Sequence, residues 1–581
     1  MLVLGLNAYH ADASAALVRD GEILAAIAEE RINRIKHYSG FPTLAIREVL
    51  RIAGVRWQDV EAVAVGRDGK ANVLQKIGFA IRNLPRIGRM AKQRLENRAD
   101  VASIDDLLAR EFGSCPRVVH VEHHLAHAAS CYLTSSFQQS AILTLDGMGD
   151  FTSVMLASGE GDSIKVLDRV HYPHSPGIFY TAVCQFIGYD RYGDEGKIMG
   201  LAAYGNPEPF RSAMEQLLLF KPGGGLELGL DFFTHHLDGV DYTSDPEGRP
   251  LVGRLFDEKL ASLLGGPPLN RGDKLTQREM DISAAMQERL EHYYAHVLNA
   301  LHKEVGGTNL CLAGGVALNS LANGKIHEFS PFRHFNIHPA AGDDGTATGA
   351  ALWVGRQGSR RVHLRTASLG NEFGDDEIEQ ALAARGSEMR FEKLPYEQLI
   401  HHTAEAIAEG LVLGWFQGRM EWGPRALGNR SILALPGHPG MKDILNARIK
   451  HREWFRPFAP VVLEERLADY FEAEEPEPFM LRVFRTRADK RAVLTAVDHE
   501  DHTGRVQTVS RDVNAPYYDV VKKVGELTGT PVVINTSFNE NEPIVYSPAE
   551  AIDCFLRTKM DRLAIGSYWC TKDDFRQAEQ A

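Results

Sequence analysis

A recurring unit, an apolar strand running into an Asp/Gly-rich turn, most constrains what this 581-residue chain folds into. Leu2 to Leu6 reads as a strand, Ala13 to Val18 as a second and Ile23 to Ala28 as a third, with Arg19-Asp20-Gly21 supplying a tight hairpin signal between the last two. A helix is expected from Thr43 to Ala53, and Val63-Ala64-Val65 is a further buried strand. Ala141 to Leu145 runs into D-G-M-G-D, and Leu310 to Leu312 runs into A-G-G-V-A-L-N. Strand, Asp/Gly loop and helix in repetition define an α/β domain whose loops gather at one edge of a sheet. Two such meander-led halves suggest a duplicated fold of the actin and sugar-kinase kind. A single core rarely grows beyond about 250–300 residues, so a second domain is expected. The boundary is expected near residue 366, giving domains 1–365 and 366–581. The linker-like S-L-G-N-E-F-G-D-D-E-I (Ser368 to Ile378) leads there into a helix with an acidic first turn, and Leu411 to Phe416 and Val532 to Ile534 are later strands.

Basic residues converge in the second half. Arg419, Arg425, Arg430, Lys450, Arg452 and Arg456 lie among Gly, Pro and aromatic residues, with Glu421 and Glu453 too few to balance them. Arg505 adds another fork, and Asn535, Ser537 and Asn539 alternate past a strand end. Folded inward, such a set suits a polyphosphate, because guanidinium forks grip phosphate oxygens in pairs. The net charge of -13 argues for a small anionic ligand and against nucleic acid, which needs a broad basic surface. No apolar run reaches the roughly 20 residues that span a bilayer. Six scattered cysteines without a C-x-x-C pair fit reduced thiols in a cytoplasm. The basic amphipathic stretch from Lys70 to Arg98, broken by Pro85, is read as a solvated helical insertion.

The first half carries different chemistry. In E-H-H-L-A-H-A, His123 and His127 stand four apart, a chelating spacing on a helix. Asp146 in D-G-M-G-D and either Asp343 or Asp344 in A-G-D-D-G-T-A are candidate oxygen ligands. Imidazole with carboxylate suits Fe, Mn or Zn. The glycine turns, among them Gly314 and Gly315 before Asn319, would let backbone N–H groups approach phosphates. No G-x-x-x-x-G-K-[ST] loop is present. Lys197, among acids and glycines in D-E-G-K-I-M-G, is an anion-binding candidate. His10, Asp12 and the pair Lys36-His37 form an N-terminal group directed toward the same cleft, with Asp12 and Lys36 near the metal and His10 suited to proton transfer near neutrality.

Taken together, N-A-Y-H-A-D-A-S-A-A-L, E-E-R-I-N-R-I-K-H, E-H-H-L-A-H-A, E-G-K-I-M-G-L-A-A-Y-G, G-R-M-E-W-G-P-R-A-L-G-N-R-S-I, R-P-F-A-P and N-T-S-F-N resemble the NodU/CmcH carbamoyltransferase family over nearly the whole chain. The resemblance implies a TsaD-like N-terminal domain and a YrdC-like, α+β C-terminal domain. It implies an ATP-dependent O-carbamoyltransferase of secondary metabolism. Carbamoyl phosphate and ATP (with Mg2+) would give carbamoyl adenylate, passed along a closed passage to an iron (Fe) site for attack by a hydroxyl of a small acceptor such as an antibiotic or a Nod-factor-like oligosaccharide. By motif position, His123, His127, Asp146 and Asp344 would bind the metal. Arg419, Arg425, Lys450, Arg456, Arg505, Asn535 and Ser537 would bind ATP and carbamoyl phosphate, joined by Gly314, Gly315 and Asn319. His10, Lys36 and Asp12 would act near the transfer site. Relatives of this kind suggest a homodimer. A fused tRNA threonylcarbamoyladenosine-forming enzyme and a non-catalytic nucleotide-binding regulator are the rival readings.

Overall fold

The structure is a computed structural model that describes residues 1–83, 104–239, 242–356 and 361–572. The chain divides into two compact units, Met1–Leu364 and Arg365–Ala581. Most of the basic stretch Lys70 to Arg98 lies outside the described residues. Its first part, Val73–Arg82, is a helix.

The N-terminal unit is built twice on one plan. β1 (Leu2–Asn7), β2 (Ser14–Arg19) and β3 (Glu22–Ala28) form an antiparallel meander, and β4 (Ala62–Val65) and β5 (Arg117–His120) extend it in parallel on the far side of β1. The second half repeats this. β6 (Gln139–Gly149), β7 (Thr152–Glu160) and β8 (Ser163–His171) form the meander. Within the second half, between β8 and β13, β9 (Leu218–Lys221) pairs with β10 (Gly225–Leu228), and β11 (Tyr242–Ser244) with β12 (Pro250–Val252), as small ribbons. β13 (Asn309–Ala313) and β14 (His334–Ile337) then complete the second sheet in parallel. The orders β3-β2-β1-β4-β5 and β8-β7-β6-β13-β14 are therefore the same. Sequence follows geometry closely in places. Asp20 and Gly21 have φ of 51° and 87°, the left-handed pair a tight hairpin needs, and the helix Thr43–Ala53 has the expected ends.

D-G-M-G-D departs from the expected turn. β6 continues through Asp146 to Gly149, with a register break between Leu145 and Gly149. The reversal falls at Asp150 and Phe151, at φ of 47° and 75°. A bulge re-aims a strand side chain, and here it frees Asp146 from the ladder. The glycines after Asp344 also serve packing. A Cβ on Gly345 would lie 1.9 Å from the Ala340 carbonyl oxygen, and one on Gly349 would lie 1.8 Å from that of Ala126. The helix Gly345–Gly355 is thereby drawn against the helix His123–Tyr132.

The C-terminal unit centres on an eight-stranded mixed sheet, in the order β15-β24-β23-β16-β17-β22-β18-β21. These are β15 (Arg390–Lys393), β16 (Leu413–Phe416), β17 (Arg430–Ala434), β18 (Ala459–Leu463), β21 (Gln507–Val509), β22 (Val532–Ser537), β23 (Arg562–Ile565) and β24 (Tyr568–Thr571), with β19 (Val483–Arg485) and β20 (Thr503–Arg505) as a separate ribbon. Helices cover both faces, and the strands alternate between two cores. Ile432, Val462 and Ile534 pack with Ile378, Leu382, Ile552 and Phe555, whereas Leu433, Val461 and Val533 pack with Leu399, Ile400, Tyr517 and Val520. Burial on both sides explains continuous apolar runs such as Val532-Val533-Ile534. The N-T-S that follows continues β22 and is not yet a loop.

The glycine packing yields a measurable contrast. Gly349→Ala must force backbone apart and should destabilise the N-terminal unit by about 1–3 kcal/mol. Gly78→Ala, in a helix where an added Cβ meets nothing, should be neutral or stabilising by up to about 1 kcal/mol. Urea unfolding of the two variants checks the contrast.

Candidate functional site

In the N-terminal unit the helix His123–Tyr132 begins at Glu122, whose carboxylate accepts the N–H groups of His124 and Leu125. The four-residue spacing brings His123 Nε2 and His127 Nε2 to 3.0 Å from each other. His123 Nε2 is also 3.2 Å from Asp146 Oδ2 and 3.4 Å from Asp343 Oδ1, and His127 Nε2 is 3.6 Å from the same Asp343 oxygen. All four side chains are buried, and one ligand atom from each lies within 4.8 Å of the others. Asp343 Oδ1 makes no well-aligned hydrogen bond despite these neighbours, which is how lone pairs look when aimed at a common point. Two imidazoles and two carboxylates would neutralise a divalent ion. They fit Fe, Mn or Zn, and His123, His127, Asp146 and Asp343 are the residues that would hold it.

The surrounding structure fixes these ligands. Asp146 Oδ1 accepts the Gly315 N–H at 3.0 Å, and Asp150 Oδ2 accepts the N–H of His123 at 2.9 Å. A Cβ on Gly149 would lie 1.9 Å from the His123 ring. His124 faces away: its ring bonds Thr144 Oγ1 at 2.6 Å and donates to the Thr152 carbonyl at 3.0 Å, tying the helix to β6 and β7. Burial, with the His123 charge behind it, holds His124 well below its ordinary pKa, so it stays neutral. Burial also pulls His123 down, but Asp146 and Asp343 outweigh it and hold that imidazole well above. Burial pushes Asp146 up, and Asp343 adds to this, but His123 takes the carboxyl down to about 2.

The carboxylate that the fold groups with His123, His127 and Asp146 is Asp343, the alternative to the Asp344 expected from motif position. Asp344 caps the helix Gly345–Gly355 by accepting the Gly345 N–H at 3.0 Å, and its carbonyl accepts from Ser14. Burial and the Asp12 charge hold its carboxyl well above the usual range. His10 does reach the cluster, with Nδ1 2.6 Å from Asp343 Oδ2. Asp12 pairs with His37, at 2.8 Å between Oδ1 and Nδ1, and Lys36 is exposed on the same turn. Gly314 lies against the Leu145 carbonyl, the Gly315 N–H serves Asp146, and Asn319 caps Ala322 and bonds Gln287. These three thus act as scaffolding for the cluster. Lys197 forms an ion pair with Asp194 at 2.9 Å.

In the C-terminal unit the basic residues divide. Arg430 stacks over Phe416 at 3.7 Å and donates to the carbonyls of Gln417, Gly418 and Asn429. Arg419 donates to the carbonyls of Leu369 and Gly370. Lys450 is buried, and its ammonium donates to the Asn539 carbonyl at 2.7 Å and to Asn539 Oδ1 at 2.8 Å, as well as to Ser537. These contacts brace the fold, and they engage Arg419 and Lys450, both expected on the ligand, with the protein's own carbonyls.

Arg425, Arg452, Arg456 and Arg505 form a second set. Arg452 stacks over Phe458 at 4.1 Å and donates from Nε to Asn446 Oδ1 at 3.3 Å, and Arg456 pairs with Glu453 at 3.5 Å. Arg425 Nε, Arg452 Nη2 and Arg505 Nε are buried without a hydrogen-bond partner, as is Arg430 Nε in the first set. Burial, then the neighbouring Arg456 charge, pushes Arg425 down to about 10 and Arg452 to about 9. Burial and the charges of Arg425, Arg452 and Arg456 hold Arg505 well below the ordinary range. Guanidinium stays protonated in proteins, so this pressure marks cations short of a counter-anion. Asn535 donates to the Ala426 carbonyl at 3.1 Å and to Gln507 at 2.7 Å, leaving its buried Oδ1 as an unmatched acceptor. Sequence reasoning noted Arg452 in the basic run yet left it out of the ligand-binding set. It named His37 beside Lys36 but gave it no role.

The N-terminal unit thus holds a cluster suited to a cation, and the C-terminal unit a cluster suited to an anion. Sequence comparison gives the class. Residues 2–352 match the carbamoyltransferase N-terminus and residues 404–572 the carbamoyltransferase C-terminus, so the chain belongs to the carbamoyltransferase family. It is 40% identical to nodulation protein NolNO of Sinorhizobium fredii over 97% of this chain and 80% of that protein. It is 38% identical to nodulation protein NolO of Bradyrhizobium diazoefficiens over 78% of this chain and 79% of that one. Nodulation protein U of Sinorhizobium fredii is 28% identical over 93% of this chain and 94% of that protein. A solved structure of HypF from T. kodakarensis overlaps 61% of this chain and 47% of that one, at 13% identity and a TM-score of 0.31.

Two outcomes are expected. Asp343→Asn should lower bound metal, read by elemental analysis of the purified protein, more than tenfold relative to Asp344→Asn, on the order of what loss of a ligating group costs. Arg505→Met should raise the stability of the ligand-free C-terminal unit by about 1–3 kcal/mol, because it removes an unpaired buried charge. It should also abolish the stabilisation that inorganic tripolyphosphate gives the unsubstituted protein, read by thermal unfolding at low ionic strength.

Proposed function

We propose that this carbamoyltransferase is an ATP-dependent O-carbamoyltransferase with two chemical steps. In the C-terminal unit, read as YrdC-like, water hydrolyses carbamoyl phosphate to carbamate and inorganic phosphate. Carbamate oxygen then attacks the α-phosphate of ATP, giving carbamoyl adenylate and pyrophosphate. In the N-terminal unit a hydroxyl of a small acceptor takes the carbamoyl group and AMP leaves.

The observation that carries the first step is the group of Arg425, Arg452 and Arg505, each with a buried N–H donor that finds no acceptor, crowded further by the Arg456 charge. Adenylation joins two anions and requires dense positive charge aimed at phosphate oxygens. The unmatched Asn535 Oδ1 beside unmatched donors suits a ligand bearing both anionic oxygens and an N–H, as carbamoyl phosphate does. Supporting the second step is the His123, His127, Asp146 and Asp343 cluster. A bound divalent metal would supply Lewis acidity toward an oxygen of the donor. The chain's own part is to orient those ligands through Gly315 and Asp150, and to hold Asp343 through His10. The net charge of -13 weighs against a tRNA substrate for this reading.

The test is pyrophosphate release from ATP. Release that depends on carbamoyl phosphate, and that falls about 100-fold or more in Arg452→Met with bound metal unchanged, is the expected result. Release that depends instead on threonine and bicarbonate would assign the chain to threonylcarbamoyl chemistry. ATP binding without any release would make it a regulator.

A further inference from the structure

The turn between β1 and β2 touches two clusters. His10 reaches Asp343, and two residues later Asp12 reaches His37, Oδ1 to Nδ1 at 2.8 Å. The second cluster is elaborate for a surface turn. Tyr192 donates its hydroxyl to the other Asp12 oxygen at 3.3 Å and stands edge-on to the His37 ring at 5.1 Å between centroids. Glu30 accepts the backbone N–H of His37 at 2.7 Å with one oxygen and pairs with Arg31 at 3.0 Å with the other. Asn7 holds the turn from inside by donating to the carbonyls of Ala11 and Asp12. Asp12, Arg34 and His37 all have left-handed backbones, with φ of 58°, 64° and 57°. Three non-glycine residues in that region cost free energy that a plain connection would avoid, and such strain collects at functional sites.

His37, Asp12 and Glu30 group closely enough to hold a cation, but both Glu30 oxygens are already engaged. The geometry suits a proton acceptor better. With Nδ1–H donated to Asp12, the lone pair of His37 sits on Nε2. That atom takes no hydrogen bond from the described residues. The ring is 28% exposed and faces Gly193, where an added Cβ would lie 2.9 Å from Nε2. A glycine at that point keeps the approach to Nε2 open.

We propose that His37 is a catalytic residue, the general base for the acceptor hydroxyl, with Asp12 and Tyr192 as its positioning residues. This deepens, and rests on, the carbamoyl-transfer reading above. In the step, the acceptor oxygen forms a bond to the carbamoyl carbon and its proton passes to His37 Nε2. The bond from that carbon to the adenylate phosphate oxygen breaks, and AMP leaves with the electron pair. Asp12 fixes the tautomer and stabilises the imidazolium that forms.

Because the natural acceptor is unidentified, the test uses two simple nucleophiles. Glycerol must lose a proton as it attacks. Neutral hydroxylamine attacks through nitrogen without that help. The full-length, metal-loaded protein is given ATP, carbamoyl phosphate and both probes. The ATP-dependent ratio of O-carbamoylglycerol to hydroxyurea is then read by mass spectrometry. In His37→Gln that ratio is expected to fall about 100-fold or more, and in Tyr192→Phe by a smaller factor. An unchanged ratio in His37→Gln overturns the proposal, even if both products fall together, since that is the signature of a structural role. Unsubstituted protein that forms hydroxyurea but no carbamoylglycerol also overturns it. Protein that forms neither product refutes the transfer reading itself and not the assignment of the base.

Discussion

In the N-terminal unit, close backbone contact between the helix Gly345–Gly355 and its neighbours underlies the rest. Gly349 meets the Ala126 carbonyl in the middle of the histidine helix, and on another side Gly5 of β1 meets the Ala347 carbonyl. No side chain separates these elements, so their relative positions are set to within a fraction of an ångström. Asp343 lies just ahead of this helix, while His123 and His127 lie on the one it touches. A four-ligand cluster needs that tolerance, because an imidazole displaced by one ångström no longer shares a point with its partners.

The two sites store opposite electrostatic demands in a chain whose net charge is -13. In the N-terminal cluster, two buried carboxylates that would otherwise repel each other pull the His123 imidazole well above its ordinary pKa. In the C-terminal unit, four guanidinium groups crowd together with Glu453 the carboxylate within ion-pair reach of Arg456, at 3.5 Å. Each arrangement is incomplete in the sense native interiors usually avoid, since nearly all buried polar atoms are otherwise matched. Incompleteness of one sign in each unit is what a protein built to seat a cation in one place and an anion in another should show.

How much the sequence reveals follows from how local the cause is. The β2–β3 hairpin was legible because Asp20 and Gly21 encode their own backbone angles, and the helix Thr43–Ala53 because its apolar face repeats at helical spacing. The chelating pair His123 and His127 was legible for the same reason. Asp343 against Asp344 was not. Adjacent residues at a helix start point in different directions, and the direction is fixed by the cap that Asp344 forms with Gly345. The D-G-M-G-D segment misled because two non-glycine residues, Asp150 and Phe151, make the reversal while Gly149 makes room for His123. The basic run was legible as a set but not as parts. Only folded contacts separate Arg430, whose Nη1 bonds three carbonyls, and Lys450 on Asn539 from Arg425 and Arg505, whose buried Nε atoms find no partner.

His37 shows the limit most clearly. In sequence it follows Lys36, and the lysine draws attention because a cation suits an anionic donor. The fold exposes Lys36 and turns His37 inward, since the left-handed backbone at His37 and the bond from its N–H to Glu30 settle which of two neighbours meets Asp12. A one-residue choice of this kind rests on a single φ angle, and no periodicity in the chain encodes it. The same β1–β2 turn then ties Asp343, through His10, to His37, through Asp12. A proton-accepting group and the metal-binding cluster are thereby fixed to one rigid element, the condition for a hydroxyl and a carbamoyl carbon to meet in register.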